Sequence, residues 1–395
     1  MLTFVLAVLA APGASAAPRP SLPPRAAVFV VGSDAASTPA ADVLEVKFSQ
    51  ALEDAKVDTC DLESLFPAPA ADGAGKKLLA EAKTAFDDLD FALGVEKAEA
   101  ALAAFTAAPE TADAAALADT HLFIGAVSMQ LKGKAAAKKA QESFARAILF
   151  NPDLSLDEQV YGKDAKKVFE KAQQEVAARG LGTLTVASSP AGAEVLLRGK
   201  PIGLSPLAEP PSVPQGRHLV KLSRAGFAPT GAFADVTSSG ATVNATLVPA
   251  AGYGEAREVA ARLANSGVGA TSMPTGAKKL GEVMKARFLV MGVARGGDTP
   301  VEVWDVETGN RLTDLSLTDD ASLAAAATRV KDFVDHPSPL APVVARVEQG
   351  GGAPVYKKWW FWTAVGVVVV GGATAAGVAA ASSSRPGYNV ILGIP

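Results

Sequence analysis

Cysteine appears once in this chain, at Cys60, and histidine three times, at His121, His218 and His336. A lone cysteine excludes an intrachain disulfide and a cysteine-based metal site. The three histidines stand far apart, without the spacing of a zinc site. No Gly-x-Ser-x-Gly or His-Glu-x-x-His signature occurs. Gly73-Ala74-Gly75-Lys76 comes nearest to a phosphate loop, but Ala70 replaces its first glycine and Lys77 its magnesium-binding hydroxyl. Strong charge is missing too. Against 41 acidic side chains stand 37 Lys and Arg, a net charge of −4. With no basic cluster interleaved with aromatics, nothing points to nucleic acid. Aromatics make up 6% of a chain that is 49% hydrophobic, so small aliphatic side chains must build thin cores and Ala-rich helices.

What is present divides into segments. Residues 1–16 hold an apolar run followed by Pro12-Gly13 and Ala14-Ser15-Ala16, the plan of a secretory signal cleaved after Ala16, although no basic residue precedes the run. Residues 27–66 read as a β-α unit with a possible returning strand after Val57. The helix between has Val43, Val46, Phe48 and Leu52 at helical period. Cys60 follows this helix and reads as a half-buried packing residue rather than a reactive thiol.

Residues 76–178 are helical, with Leu79, Ala82, Phe86, Leu89 and Leu93 on one face. Asp87, Asp88 and Asp90 read as a solvated face. Residues 121–154 carry Ala140, Phe144, Ala147 and Pro152 at the spacing of the second helix of a tetratricopeptide repeat. This window is similar to one such repeat, although Ile124 and Ser128 replace the usual Trp and Gly. Residues 157–178 add an amphipathic helix with Val160 inward. The resemblance implies a concave surface for protein partners.

In residues 182–249, short alternating apolar runs are cut by Gly and Pro. The ordered turns Ser189-Pro190-Ala191-Gly192, Arg198-Gly199-Lys200, Ile202-Gly203-Leu204-Ser205-Pro206, Pro214-Gln215-Gly216 and Ala225-Gly226-Phe227 resemble a PEGA domain. Pro190, Gly192, Gly199, Gly203, Pro206, Gly216 and Gly226 carry that likeness. It implies a small all-β module without catalytic residues that binds surface components, envelope polymers or other proteins. His218 reads here as a half-exposed strand residue.

Residues 251–335 form a third unit: two helices, with Leu280, Val283 and Met284 inward, then three strands and a closing helix. The run from Ala277 to Leu312 resembles a helix-plus-meander of bacterial periplasmic proteins. The leading β-α pair of such domains is missing, which suggests that residues 27–66 dock onto residues 251–335 and complete the sheet. Contact of Val28 and Val30 with the strand after Arg287 is the test.

Residues 336–356 are a Pro/Gly-containing linker. Residues 359–381 carry no charge over about 23 residues, long enough as a helix to cross a bilayer. Trp359, Trp360 and Trp362 form an interfacial belt, and Gly372 and Gly377 belong to a small-residue face suited to helix pairing in lipid. Residues 382–395 are a short tail.

The sequence thus predicts a multidomain α+β chain: a TPR-like helical segment, a PEGA-like β module, a meander domain and one C-terminal transmembrane helix. No catalytic, cofactor or metal site is assigned. The expected function is a membrane-anchored bacterial envelope scaffold whose body is extracytoplasmic. It would take protein partners on the helices and surface or protein ligands on the β module. Two readings stay open: a cytoplasm-facing, tail-anchored adaptor, and a carboxylate-dependent hydrolase, whose paired acids sequence cannot reveal.

Overall fold

A computed structural model describes residues 21–69, 73–131 and 133–336. The expected signal, the linker beyond His336, the membrane helix with Trp359, Trp360, Trp362, Gly372 and Gly377, and the tail all lie outside the described residues. Among those described, no helix is long and apolar enough to cross a membrane.

The chain opens with β1 (Ala26–Gly32), α1 (Thr38–Asp54) and the short α2 (Leu62–Leu65). The segment after Val57 is not a returning strand. It makes one bridge, Thr59 to Ala26, before α2 begins under an Asp61 cap. Cys60 is half-buried there, and its thiol donates to the Met284 carbonyl at 3.3 Å. Burial pushes that thiol up to about 12. Alkylation of Cys60 by iodoacetamide at pH 8 is therefore expected to be slow in the folded chain and fast in urea, as mass spectrometry would record.

Six helices follow: α3 (Ala74–Asp87), α4 (Phe91–Ala107), α5 (Ala114–Gln130), α6 (Lys134–Phe150), the short α7 (Glu158–Tyr161) and α8 (Lys163–Ala177). The inward face expected for residues 76–93 is broken. The chain turns at Leu89 with φ 63°, leaving Leu89 74% exposed, and α4 starts afresh under the Asp90 cap. Val160 is likewise exposed, because Gly162 separates α7 from α8. Ala140, Phe144 and Ala147 are fully buried between α5, α6 and α8. Gly125 lets the Phe144 ring approach α5 so closely that a Cβ would meet it at 2.6 Å. Burying a ring of this size contributes about 2–3 kcal/mol. Pro152 lies just past the end of α6, where it cannot continue the helix.

The next seven strands are β2 (Leu181–Ser189), β3 (Glu194–Leu197), β4 (Lys200–Leu204), β5 (Ser212–Pro214), β6 (Gly216–Ser223), β7 (Thr230–Val236) and β8 (Ala241–Thr246). They form two sheets, ordered β5-β2-β8 and β4-β3-β6-β7. The pairing is antiparallel apart from the parallel β2–β8 pair.

The last segment comprises α9 (Tyr253–Gly267), α10 (Ala277–Met284), β9 (Phe288–Ala294), β10 (Thr299–Asp305), β11 (Arg311–Leu317) and α11 (Asp320–Asp335). Leu280 and Met284 are buried, whereas Val283 stands 46% exposed on the outer face of the short α10. β1 joins this segment as a parallel edge strand, giving the order β1-β9-β10-β11. Its register sets Val28 opposite Val290 and Val30 opposite Gly292, the contact that docking of residues 27–66 requires. α1 and α11 cover one face of the sheet through Phe48, Leu52, Val330 and Phe333. α9 and α10 cover the other, in a core that runs on without a break into the small β domain through Val195, Leu222, Phe227 and Tyr253. In the β10–β11 turn, Asp305 accepts from the Thr308 hydroxyl at 2.8 Å and pairs with Arg287 at 2.7 Å. That network explains the Asp-Val-Glu-Thr-Gly sequence of the hairpin.

Candidate functional site

Two features connect the segments. The first is a buried ionic joint. The expected inward face of α1 was aliphatic, yet Val43 and Val46 are only half-buried while Asp42 and Glu45 are buried. Their partners come from far along the chain. Arg224, just after β6, lies 3.3 Å from Asp42 and 2.7 Å from Glu45. Arg257 of α9 lies 3.0 Å from Asp42 and also pairs with Glu45. Backbone groups satisfy the rest: the Ala191 amide donates to Asp42 at 3.2 Å, the Val30 amide donates to Glu45 at 3.0 Å, and Arg224 donates to the Ala191 carbonyl. Both guanidinium groups also face the Phe227 ring, at 5.4 and 5.8 Å.

Burial pushes the Asp42 carboxyl up, against the opposing pull of Arg224 and Arg257. Burial also works against the charge on Arg257, but Glu45, Tyr253 and Asp42 outweigh it and hold that guanidinium above its usual value. At Gly192 (φ 78°) a Cβ would meet the Asp42 carbonyl at 2.9 Å, so the β2–β3 turn sits directly on α1. Asp42 and Glu45 are sealed among arginines and offer no substrate a free acid. The joint is structural, and it fixes how the small β domain sits against the α/β sheet.

The second feature is a cleft of about 1060 Å³ between the helices and the small β domain. Leu102 and Thr106 of α4, Leu117 and His121 of α5, and Arg146 and Leu149 of α6 line one wall. Arg217 of β6 with Phe233 and Asp235 of β7 line the other. The walls meet through aromatic contacts. His121 stacks on Phe150 at 5.8 Å, Phe150 meets Phe233 edge-on at 6.4 Å, and the Arg217 guanidinium lies 4.3 Å from the Phe233 ring centre. Gly216 (φ 141°) allows the close approach of α6, since a Cβ there would meet Leu149 at 2.5 Å. Gly231 packs on the turn at Pro109 in the same way.

His121 is 7% exposed, and its Nδ1 has no hydrogen-bond partner. Burial, then the nearby charges of Arg146 and Arg217, pull its pKa down to about 3. The ring is therefore neutral at neutral pH. Among the described residues, no group of three or more His, Cys, Asp or Glu is placed to hold a metal ion.

Residues 181–250 match the PEGA domain family. No curated protein and no solved structure matches the chain. Within the PEGA domain, Pro190 and Gly192 shape the β2–β3 turn that rests on α1. Gly199 turns β3 into β4, Gly203 lies within β4, and Pro206 follows it. Gly226 (φ 80°) sits under the Tyr253 ring. These turns are scattered over the domain, and only Gly216 borders the cleft. The repeat-signature residues Ala140, Phe144, Ala147 and Pro152 do not line it either, being core and terminator of α6. The residues that line the cleft from that helix are Lys138, Gln141, Glu142, Arg146, Leu149 and Phe150, which the repeat pattern does not mark.

His218 is not half-exposed as expected. It is 1% exposed, and its Nε2 donates to the Pro214 carbonyl at 2.7 Å. His218 shares the core-facing side of β6 with Val220 and Leu222, and the outer Leu219 is covered as well, by the Phe150 end of α6.

Proposed function

We propose that this chain is a non-catalytic, membrane-anchored scaffold of the bacterial cell envelope. Its cleft between the helical region and the PEGA domain receives a segment of a partner protein. The helical region acts as a TPR-like wall and the PEGA domain as the opposite one, so the two modules bind jointly. The membrane helix of residues 359–381 holds the body at the bilayer, and export through residues 1–16 places it on the extracytoplasmic side. Tethering raises the local concentration of the partner.

The observation that carries this reading is the cleft itself. It is large and open, lined by both apolar and charged side chains of two modules, and held in shape by packed aromatics. Two of its three carboxylates are engaged, Glu142 by Lys138 at 3.9 Å and Glu175 by Gln141 and Arg179 at 2.9 Å, and the third, Asp235, stands opposite Arg217 on the other wall. Thr106→Trp fills the cleft from an exposed position. Affinity capture from crosslinked membranes is expected to yield a partner with the wild-type chain and to lose it with this variant. Retention of the partner by a folded T106W chain would remove the cleft from the account. Protease added to intact, outer-permeabilised cells should digest the body. Protection there would favour the cytoplasm-facing adaptor.

A further inference from the structure

Within the cleft, the cations outnumber their partners. Lys138 and Arg179 are engaged by Glu142 and Glu175. Arg146 and Arg217 are exposed and have no ion-pair partner among the described residues. Asp235 stands opposite Arg217 in the β6–β7 register without closing an ion pair. Arg146 comes from α6 and Arg217 from β6, so each module supplies one. Both lie near enough to His121 to act on its ring. The Phe233 face holds the Arg217 guanidinium in place. The same cleft is lined by half-buried Leu102 and Phe233 and by exposed Ala103 and Ala107, whereas Leu117 and Leu149 are each only 2% exposed.

From these observations we infer that Arg146 and Arg217 form an anion-binding clamp across the cleft, and that it recognises a carboxylate on an extended, acidic peptide segment of the partner that also carries apolar side chains. The inference rests on the reading of the cleft as a partner site. Guanidinium groups suit carboxylates because their planar forks donate paired, charge-assisted hydrogen bonds. The apolar strip of Leu102, Ala103, Ala107 and Phe233 favours a peptide over an acidic polysaccharide, since apolar side chains beside the acid would bury against it. The size of the cleft favours a chain segment over a free small anion.

The test uses the full chain in detergent, with two fluorescent peptides read by polarisation. One alternates leucine and glutamate; the other has glutamine for each glutamate. The acidic peptide is expected to bind at least about tenfold more tightly. Arg146→Gln and Arg217→Gln should each lower its affinity by about tenfold while leaving the glutamine peptide unchanged. Both arginines are exposed, and a thermal melt confirms that each variant is folded. Equal affinity for the two peptides, or insensitivity to both substitutions, overturns the clamp. If T106W then abolishes both peptides equally, the cleft reading survives without the clamp. If T106W changes neither, both fall. A third arm uses polygalacturonate. Binding of this polymer alone, lost in R146Q and R217Q, would reassign the arginines to a polysaccharide and overturn the peptide inference.

Discussion

Replacing Arg224 with alanine is expected to lower the unfolding free energy by about 3–5 kcal/mol, because it strips a buried partner from two carboxylates. Arg224 is 3% exposed, and Asp42 and Glu45 are 5% and 7% exposed in their side chains. Arg257 alone would then serve both acids, and the Ala191 carbonyl would lose its donor. The effect is large because the orphaned charges stay buried, not because the intact cluster is strongly stabilising in itself. Asp42→Asn in the Arg224→Ala background should recover part of the loss, since it removes one uncompensated charge. Urea unfolding of the full chain in detergent measures all three. An R224A midpoint equal to wild type would show that the joint does not hold the domains.

Acid should destabilise the chain through His121. Its pKa is 6.5 when unfolded and about 3 in the fold, held down by burial and then by Arg146 of α6 and Arg217 of β6. Between those values the unfolded chain binds a proton that the folded chain refuses. The contribution is therefore complete above pH 6.5 and shrinks as pH falls, at about 1.4 kcal/mol per pH unit. At pH 4.5 the loss reaches about 2–3 kcal/mol. Asp42 runs the other way, because its raised pKa favours the protonated folded form as pH falls toward 3.8. His121→Phe keeps the stack on Phe150 and removes the titration, so wild type minus variant isolates the imidazole. The two unfolding free energies should diverge with pH between 6.5 and 4.5. Parallel curves would place His121 in a wetter setting.

Local pattern carried much of this architecture. The alternating runs and Gly-Pro turns of residues 182–249 are strands and turns, and the family match covers the same stretch. The spacing of Ala140, Phe144 and Ala147 marks residues that are buried on α6. The meander after Arg287 forms, and β1 completes its sheet. The failures have two causes: partners distant in sequence, and local breaks in the helices. Helical period favoured Val43 and Val46 over Asp42 and Glu45, because nothing local announces arginines near residues 224 and 257. Leu89, Val160 and Val283 fit an apolar period, but a positive φ, a glycine break and a short helix leave them outside. The cleft was invisible for the first of these reasons. Arg146 looks like one more polar helix residue until the fold brings it and Arg217 to the lining of one cleft.

Site-specific photo-crosslinking from the cleft tests the central claim most directly. A benzophenone side chain at Ala107, which is exposed and lines the cleft, is compared in cells with one at Lys163, which is exposed on α8 away from it. The account expects a discrete adduct with another polypeptide from position 107, none from position 163, and loss of that adduct in the T106W background. Adducts of equal yield from both positions, or an adduct that persists when the cleft is filled, would contradict it.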